Sequence, residues 1–128
     1  FCTHNDDILV NEIAPRVHNS GHLTIESCIT SQFEQHIRAI YDMSLGSVNQ
    51  ILPGVMVNLV GENDHNGEAF YRNIDKAFDL DGVFPHLYGK KITRPNRKMG
   101  HITIIDEKLE KAISKARVLK NKIKIITT

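Results

Sequence analysis

The sequence predicts an α+β fold, on three observations. Strand-like and helix-like runs alternate irregularly, and turn clusters join them in both hairpin-like and helix-linked fashion. The chain has 128 residues, one ordinary domain's worth, for which about 65% of the unfolded surface is expected to be buried. Its composition, 41% hydrophobic and 24% charged, is that of a soluble globular protein. Disorder and collagen-like repeats are thereby excluded, and no apolar run approaches the ~18 residues of a membrane span.

The elements follow in order. Asn5-Asp6-Asp7 is a turn cluster, so Phe1–Thr3 and Ile8–Ile13 are expected to form a hairpin. Within Ile8–Ile13 the two-residue period puts Glu12 on the face of Ile8 and Val10. Ala14 to His22 is a polar loop broken by Pro15 and Gly21. Ile25, Cys28, Ile29, Phe33, Ile37, Ile40 and Tyr41 recur at helical spacing and predict an amphipathic helix from Thr24, as N-cap, to Tyr41.

Leu45-Gly46 and Pro53-Gly54 punctuate a connection. Val55–Val60 reads as a strand closed by Gly61. Phe70, Ile74, Ala77 and Phe78 predict a second helix from near Asn66 to Asp81-Gly82. Val83–Tyr88 and His101–Ile105 read as short strands around the basic stretch from Lys90 to Lys98. Asp106 is expected to cap a last helix with Leu109, Ala112, Ile113, Ala116 and Leu119 inward and Lys108, Lys111 and Lys115 outward. The lysines from Lys108 to Lys124 read as a solubilising face, aided by a Glu107 to Lys111 pairing.

Charge is divided unevenly. Net charge is +1, yet residues 1–64 hold two basic against eight acidic residues and residues 65–128 hold fourteen against seven. Opposed halves point to a site that handles both cations and anions. Cys2 and Cys28 form no spacing motif, which favours a reducing compartment, with cytoplasm as the expectation. The chain opens at Phe1 without methionine, charged n-region or apolar leader, and the expectation is a cut start.

Two stretches carry chemistry. Asn11-Glu12 places an amide and a carboxylate at a strand end, donors that suit Mg²⁺ shared with substrate phosphates; a surface pair with Arg16 is the plain alternative. The adjoining loop holds Arg16, His18, Asn19, Ser20, Gly21 and His22, a density of donors suited to a small oxyanion or to an ordinary polar loop. The basic stretch has five Lys/Arg and no acid, so Lys90 and Arg97 are candidates to converge on a phosphate. It lacks interleaved aromatics for base stacking, which disfavours nucleic acid. His4, His36, His65 and His86 show no ligand spacing.

The run Asn11-Glu12-Ile13-Ala14-Pro15-Arg16-Val17-His18-Asn19-Ser20-Gly21-His22, continued by Thr30-Ser31-Gln32-Phe33-Glu34-Gln35-His36-Ile37-Arg38-Ala39, closely resembles the 5-(carboxyamino)imidazole ribonucleotide synthetase family. These are ATP-grasp enzymes of purine biosynthesis, also described as the ATPase subunit of phosphoribosylaminoimidazole carboxylase. Tyr88-Gly89-Lys90 and Arg97-Lys98-Met99-Gly100-His101-Ile102 form a second matching block, so the resemblance extends over essentially the whole chain.

The resemblance implies an ATP-dependent carbon-nitrogen ligase that joins bicarbonate to 5-aminoimidazole ribonucleotide through carboxyphosphate, releasing ADP and phosphate. It implies ATP and Mg²⁺ as cofactors, Glu12 as a metal ligand and Asn11 beside it at the ATP phosphates. Arg16, His18 and Asn19 are implied to hold bicarbonate, carboxyphosphate or the amine, with Arg16 and His18 the catalytic candidates. Lys90 and Arg97 are implied to clamp the ribonucleotide phosphate.

The family's adenine-binding strand, phosphate-covering loop and a further Mg²⁺-binding glutamate lie upstream of Phe1. The expected architecture is therefore the C-terminal part of an ATP-grasp domain over residues 1–52, mainly antiparallel sheet with helices, and a small C-terminal β-rich domain over 53–128. The chain alone is expected to be inactive, and the full-length enzyme a cytoplasmic homodimer without nucleic-acid or membrane partners. The alternatives are another purine-pathway ATP-grasp ligase, such as the formate-using glycinamide ribonucleotide enzyme, against which Asn19-Ser20-Gly21-His22 argues, and a non-catalytic phosphate or nucleic-acid binding module.

Overall fold

The computed structural model of the chain describes residues 8–10 and 12–128. Its elements are α1 (Thr24–Ser27), α2 (Gln32–Ile40), β1 (Gly54–Val60), β2 (Gly67–Arg72), β3 (Val83–Leu87), β4 (Ile92–Thr93), β5 (Lys98–Ile105), α3 (Leu109–Lys122) and β6 (Lys124–Thr127), with 3₁₀ turns at Asn19–Gly21 and Ile74–Ala77. Two antiparallel sheets form, ordered β1-β5-β3 and β4-β2-β6. The α+β expectation holds. None of the described helices is long and apolar enough to cross a membrane.

Strand β5 is central to its sheet and covered on both sides. Ile102 and Ile104 pack with Ala112, Ala116 and Leu119 of α3 and with Leu59, Ile123 and Ile125 in one buried cluster. The spacing 112, 116, 119 lays one stripe along α3, and two alanines let the helix lie close to the sheet. Each large apolar side chain so buried contributes about 1.5–3 kcal/mol. By the two-residue period of a strand, His101 and Thr103 point the opposite way. Both are nonetheless buried, because α1 packs against β5 and Ser27 is fully buried beside Gly54.

Gly61 joins the two sheets through isolated bridges to Pro95 and Ile125. Its amide donates to Arg97 O, and its carbonyl accepts from Asn96 N. A Cβ here would strike the Arg94 carbonyl. Only glycine lets the basic stretch approach this closely.

Several expectations are corrected. The hairpin's first arm lies outside the described residues, and among the described residues of 8–13 only Ile8 takes part in a bridge. Ile8, Val10 and Ile13 are more than 80% exposed; an alternating segment becomes a half-buried strand only where a sheet receives it. The helix expected from Thr24 to Tyr41 is two helices. Cys28 between them is extended and bridges Gln50, and Ser31 caps α2 by accepting from Glu34 N. Thr24 is not an N-cap. Its hydroxyl donates to Gly21 O and accepts from Gln32 N, tying the loop and both helices together.

The helix expected over residues 66–82 is strand β2 followed by a 3₁₀ turn. Here burial alternates, with Ala69 and Tyr71 inward and Phe70 about half exposed, so pairing with β6 and β4 overrode the apparent helical spacing. Strand β6 was not expected. Asp106 precedes the α3 N-cap, Lys108; its carboxylate accepts from Lys108 N and pairs with Lys115 at 2.9 Å. Lys115 is thus engaged rather than merely solvated. Leu109, expected inward, is 44% exposed.

Candidate functional site

The register of the first sheet builds the site. His101 on β5 stands opposite Asn58 on β1 and His86 on β3. Opposed residues of antiparallel strands share a face, so Asn58, His101 and His86 form one row. The loop from His18 to His22 and helix α1 close over this row, residue by residue.

Asn19 Nδ2 donates to Asn58 Oδ1 at 2.8 Å, and Lys98 Nζ donates to Asn19 Oδ1 at 2.9 Å. The His22 ring lies 4.9 Å from that of His101, and His86 stacks on His101 at 4.4 Å with a 10° interplanar angle. Glu26 Oε1 meets His86 Nε2 at 2.7 Å. Tyr88 OH and His101 Nδ1 are 2.9 Å apart. Phe33 stacks on His22 at 5.4 Å. Lys90 Nζ donates to Lys98 O at 2.7 Å and lies 5.7 Å from the Tyr88 ring centroid, within cation–π range.

The loop is held from beneath by Gln32. Its Oε1 accepts from His18 N at 2.9 Å, while its Nε2 donates to His18 O and meets His22 Nδ1, both at 2.8 Å. His18 caps the 3₁₀ turn by accepting from Ser20 N on Nδ1. Gly21 leaves the space the Gln32 amide occupies, since a Cβ there would meet Gln32 Oε1.

Charge within the cluster is tightly restricted. His101 is 2% exposed, with no partner for its Nε2. Burial, reinforced by His86 and His22 nearby, lowers its pKa to about 4. His22 is lowered by burial and by Lys98, His18 and His86. Burial raises the Tyr88 phenol. Glu26 is the carboxylate in contact with this group, and its Oε2 is buried without a partner. His22 and His101, whose charged forms are disfavoured, together with Lys98 and Lys90 at the rim, offer hydrogen-bond donors and positive potential, which suits an anionic ligand.

The proposed residues are distributed unequally around this cluster. His18 and Asn19 belong to it. Arg16 is exposed and donates to Val17 O at 3.0 Å, and Glu12 is exposed with no partner among the described residues. Asn11 lies outside the described residues. Arg97 donates to Ile92 O at 3.1 Å, Lys90 is tied to Lys98, and it is Lys98 whose side chain reaches the loop. The described residues hold no group of three or more His, Cys, Asp or Glu able to bind a metal. Glu12 therefore offers a single carboxylate toward Mg²⁺, which a cation shared with phosphates can use but which does not make a site alone.

Sequence reasoning missed Glu26, Gln32, Asn58, His86, Tyr88, Lys98 and His101 as members of one cluster. A polar Asn58 inside the apolar run Val55–Val60 was a usable signal. The pairing of His86 with His101 was not, since it depends on strand register. His36 is exposed, and His65 is structural, accepting from Thr127 N at 3.0 Å. A groove of about 470 Å³ between β1 and α3 includes Asn58 and none of the other cluster residues.

Known protein families match most of the chain. Residues 54–115 match the family model of the phosphoribosylaminoimidazole carboxylase C-terminal domain, and residues 1–33 that of the ATP-grasp domain. The chain is similar to N5-carboxyaminoimidazole ribonucleotide synthase of Synechococcus elongatus, 52% identical over 101 residues, which are 77% of this chain and 25% of the relative. It is 44% identical over 114 residues to phosphoribosylaminoimidazole carboxylase of Ogataea methanolica, covering 85% of this chain and 20% of the relative.

Among solved structures, N5-carboxyaminoimidazole ribonucleotide synthetase from Thermotoga maritima superposes with a TM-score of 0.95 and 52% identity, over 100% of this chain and 36% of that one. The Aspergillus clavatus synthase, in complex with ADP and 5-aminoimidazole ribonucleotide, superposes at 0.82 with 34% identity, over 94% of this chain and 32% of that one. The chain thus spans between a fifth and a little over a third of the length of these relatives. Matched in sequence by both family models and in structure over its whole length, it belongs to the N5-carboxyaminoimidazole ribonucleotide synthetase family, of which it carries the C-terminal domain and part of the ATP-grasp domain.

Proposed function

We propose that a protein of the relatives' full length carrying this chain carboxylates 5-aminoimidazole ribonucleotide with bicarbonate at the expense of ATP. The observation that supports this most is the meeting of Lys98 with Asn19, which joins the basic stretch to the donor-rich loop across 79 residues of sequence. In this reading ATP phosphorylates bicarbonate to carboxyphosphate, and the amine of the ribonucleotide takes up the carboxyl group with release of phosphate. Such an intermediate must be held and kept from water, so positioning and electrostatics are the protein's main contributions.

Arg16, His18 and Asn19 hold the bicarbonate-derived group and the amine, and Lys90 and Arg97 clamp the ribonucleotide phosphate. Because Ser20 N donates to Nδ1 of His18, the neutral ring carries its proton on Nε2. It then faces the ligand as a donor, suited to an oxyanion rather than to taking a proton from the amine. Asn11 and Glu12 would serve at the ATP phosphates, where Glu12 would supply one ligand to Mg²⁺, whose chemistry would be to offset phosphate charge. The two parts divide near residues 52–53, the enzyme is a cytoplasmic homodimer, and the 128-residue chain alone is inactive.

The test is ADP release by the full-length protein. It should require both bicarbonate and 5-aminoimidazole ribonucleotide, should not respond to formate, and should be abolished in Glu12→Gln. Turnover that proceeds with formate in place of bicarbonate refutes the substrate assignment; unimpaired Glu12→Gln refutes the metal role.

A further inference from the structure

Gln32 spends its entire side-chain amide on the loop that carries His18 and Asn19. Its oxygen must face His18 N, because a backbone N–H can only donate, and the same constraint turns its nitrogen toward His18 O. The amide cannot flip without opposing donor to donor and acceptor to acceptor. Its second N–H is thereby aimed at His22 Nδ1, which must accept.

We propose that Gln32 is a positioning residue that splints the His18–His22 loop and fixes His22 as the neutral ring with its proton on Nε2. The surroundings of His22 agree from every side. Phe33 stacks on it, the His101 and Tyr88 rings lie 4.9 and 6.5 Å away, and Lys98, His18 and His86 bring no negative charge toward it. Glu26 spends its one bonded oxygen on His86. A protonated Nδ1 would confront the Gln32 N–H and would add a cation beside Lys98, so the loop can seat only while His22 is neutral. For the reaction, which rests on the reading above, this keeps the His18 and Asn19 donors at one place beside Lys98.

The test follows the ring itself. Nitrogen NMR of the histidine-labelled chain, with His22 assigned through His22→Gln, should find Nδ1 unprotonated at pH 7. Gln32→Glu puts a carboxylate against Nδ1 and should move the His22 titration upward by about one pH unit or more. Gln32→Met keeps the side-chain length without the bonds and should speed exchange of the His18 amide about tenfold. A proton on Nδ1 in the unaltered chain, or an unmoved His22 titration in Gln32→Glu, overturns the proposal; a residue of general structural value would lower stability without moving that titration. In the full-length protein Gln32→Glu should lower kcat at least tenfold while leaving KM for ATP unchanged. If the unaltered protein shows no bicarbonate-dependent turnover, the functional reading fails and the ring titration still decides the role of Gln32.

Discussion

Lys98 Nζ donates to Asn19 Oδ1 at 2.9 Å, and Asn19 returns a bond of 2.8 Å from its amide nitrogen to Asn58. One loop residue therefore connects to the central strand and to its neighbour at once. Asn19→Ala should cost about 1–2 kcal/mol of stability in urea unfolding, since it leaves a part-buried acceptor unpaired. Asn19→Ala combined with Asn58→Ala should be non-additive by about 0.5 kcal/mol or more. Simple additivity would mean that the two amides do not share their bond in solution.

Acid should loosen the structure through His101. An unfolded histidine titrates near 6.5, whereas burial holds His101 at about 4. Below about pH 6.5 the unfolded chain takes up a proton that the folded chain refuses, so stability falls as pH drops toward 4 and levels off beneath it. The loss amounts to on the order of 3 kcal/mol, and the lowered His22 acts in the same direction. Thermal unfolding of the chain at pH 7 and pH 5 should show it, and His101→Gln should flatten the dependence even if it lowers stability at pH 7. An equally steep profile in that variant would assign the acid sensitivity elsewhere.

In the full-length protein, Lys90→Ala and Arg97→Ala should each raise KM for 5-aminoimidazole ribonucleotide about tenfold, the worth of one charge-assisted bond, with KM for ATP little changed. Steady-state kinetics with each substrate varied in turn separates the two constants. If both rise together, the phosphate clamp is misassigned.

Gly61→Ala should destabilise the chain by about 1–3 kcal/mol, because the added carbon meets the Arg94 carbonyl where the two sheets join. The same change should disturb the stretch from Arg94 to Lys98, visible as shifted amide signals there. Wild-type stability would place the bridges of Gly61 outside the folded state in solution.

Much of the fold was legible because it follows from local pattern. The stripe Ala112, Ala116, Leu119 and the run Val55–Val60 each identify an element without knowledge of its partner. Where pattern misled, a long-range partner outweighed it: Cys28 interrupts an otherwise helical periodicity because Gln50 pairs with it, and Phe70 lies on the outer side of a strand because β6 and β4 flank that segment. His18 and Asn19 were readable as site candidates from their neighbours in the chain. Glu26, His86 and His101 were not, since nothing in their spacing implies contact.

Chemical identity thus resided in the order of residues: the donor-rich loop, the basic stretch, the α+β class and the family all follow from side chains close together in sequence. Arrangement did not. A one-residue change of register in β5 would turn His101 from the loop toward α3, because successive side chains of a strand face opposite ways. The pairing of β5 with β1 and β3 aligned Asn58, His101 and His86 and let Lys98 reach Asn19. Those contacts join residues 15 to 79 positions apart, beyond the reach of any local periodicity, so packing alone brings them together.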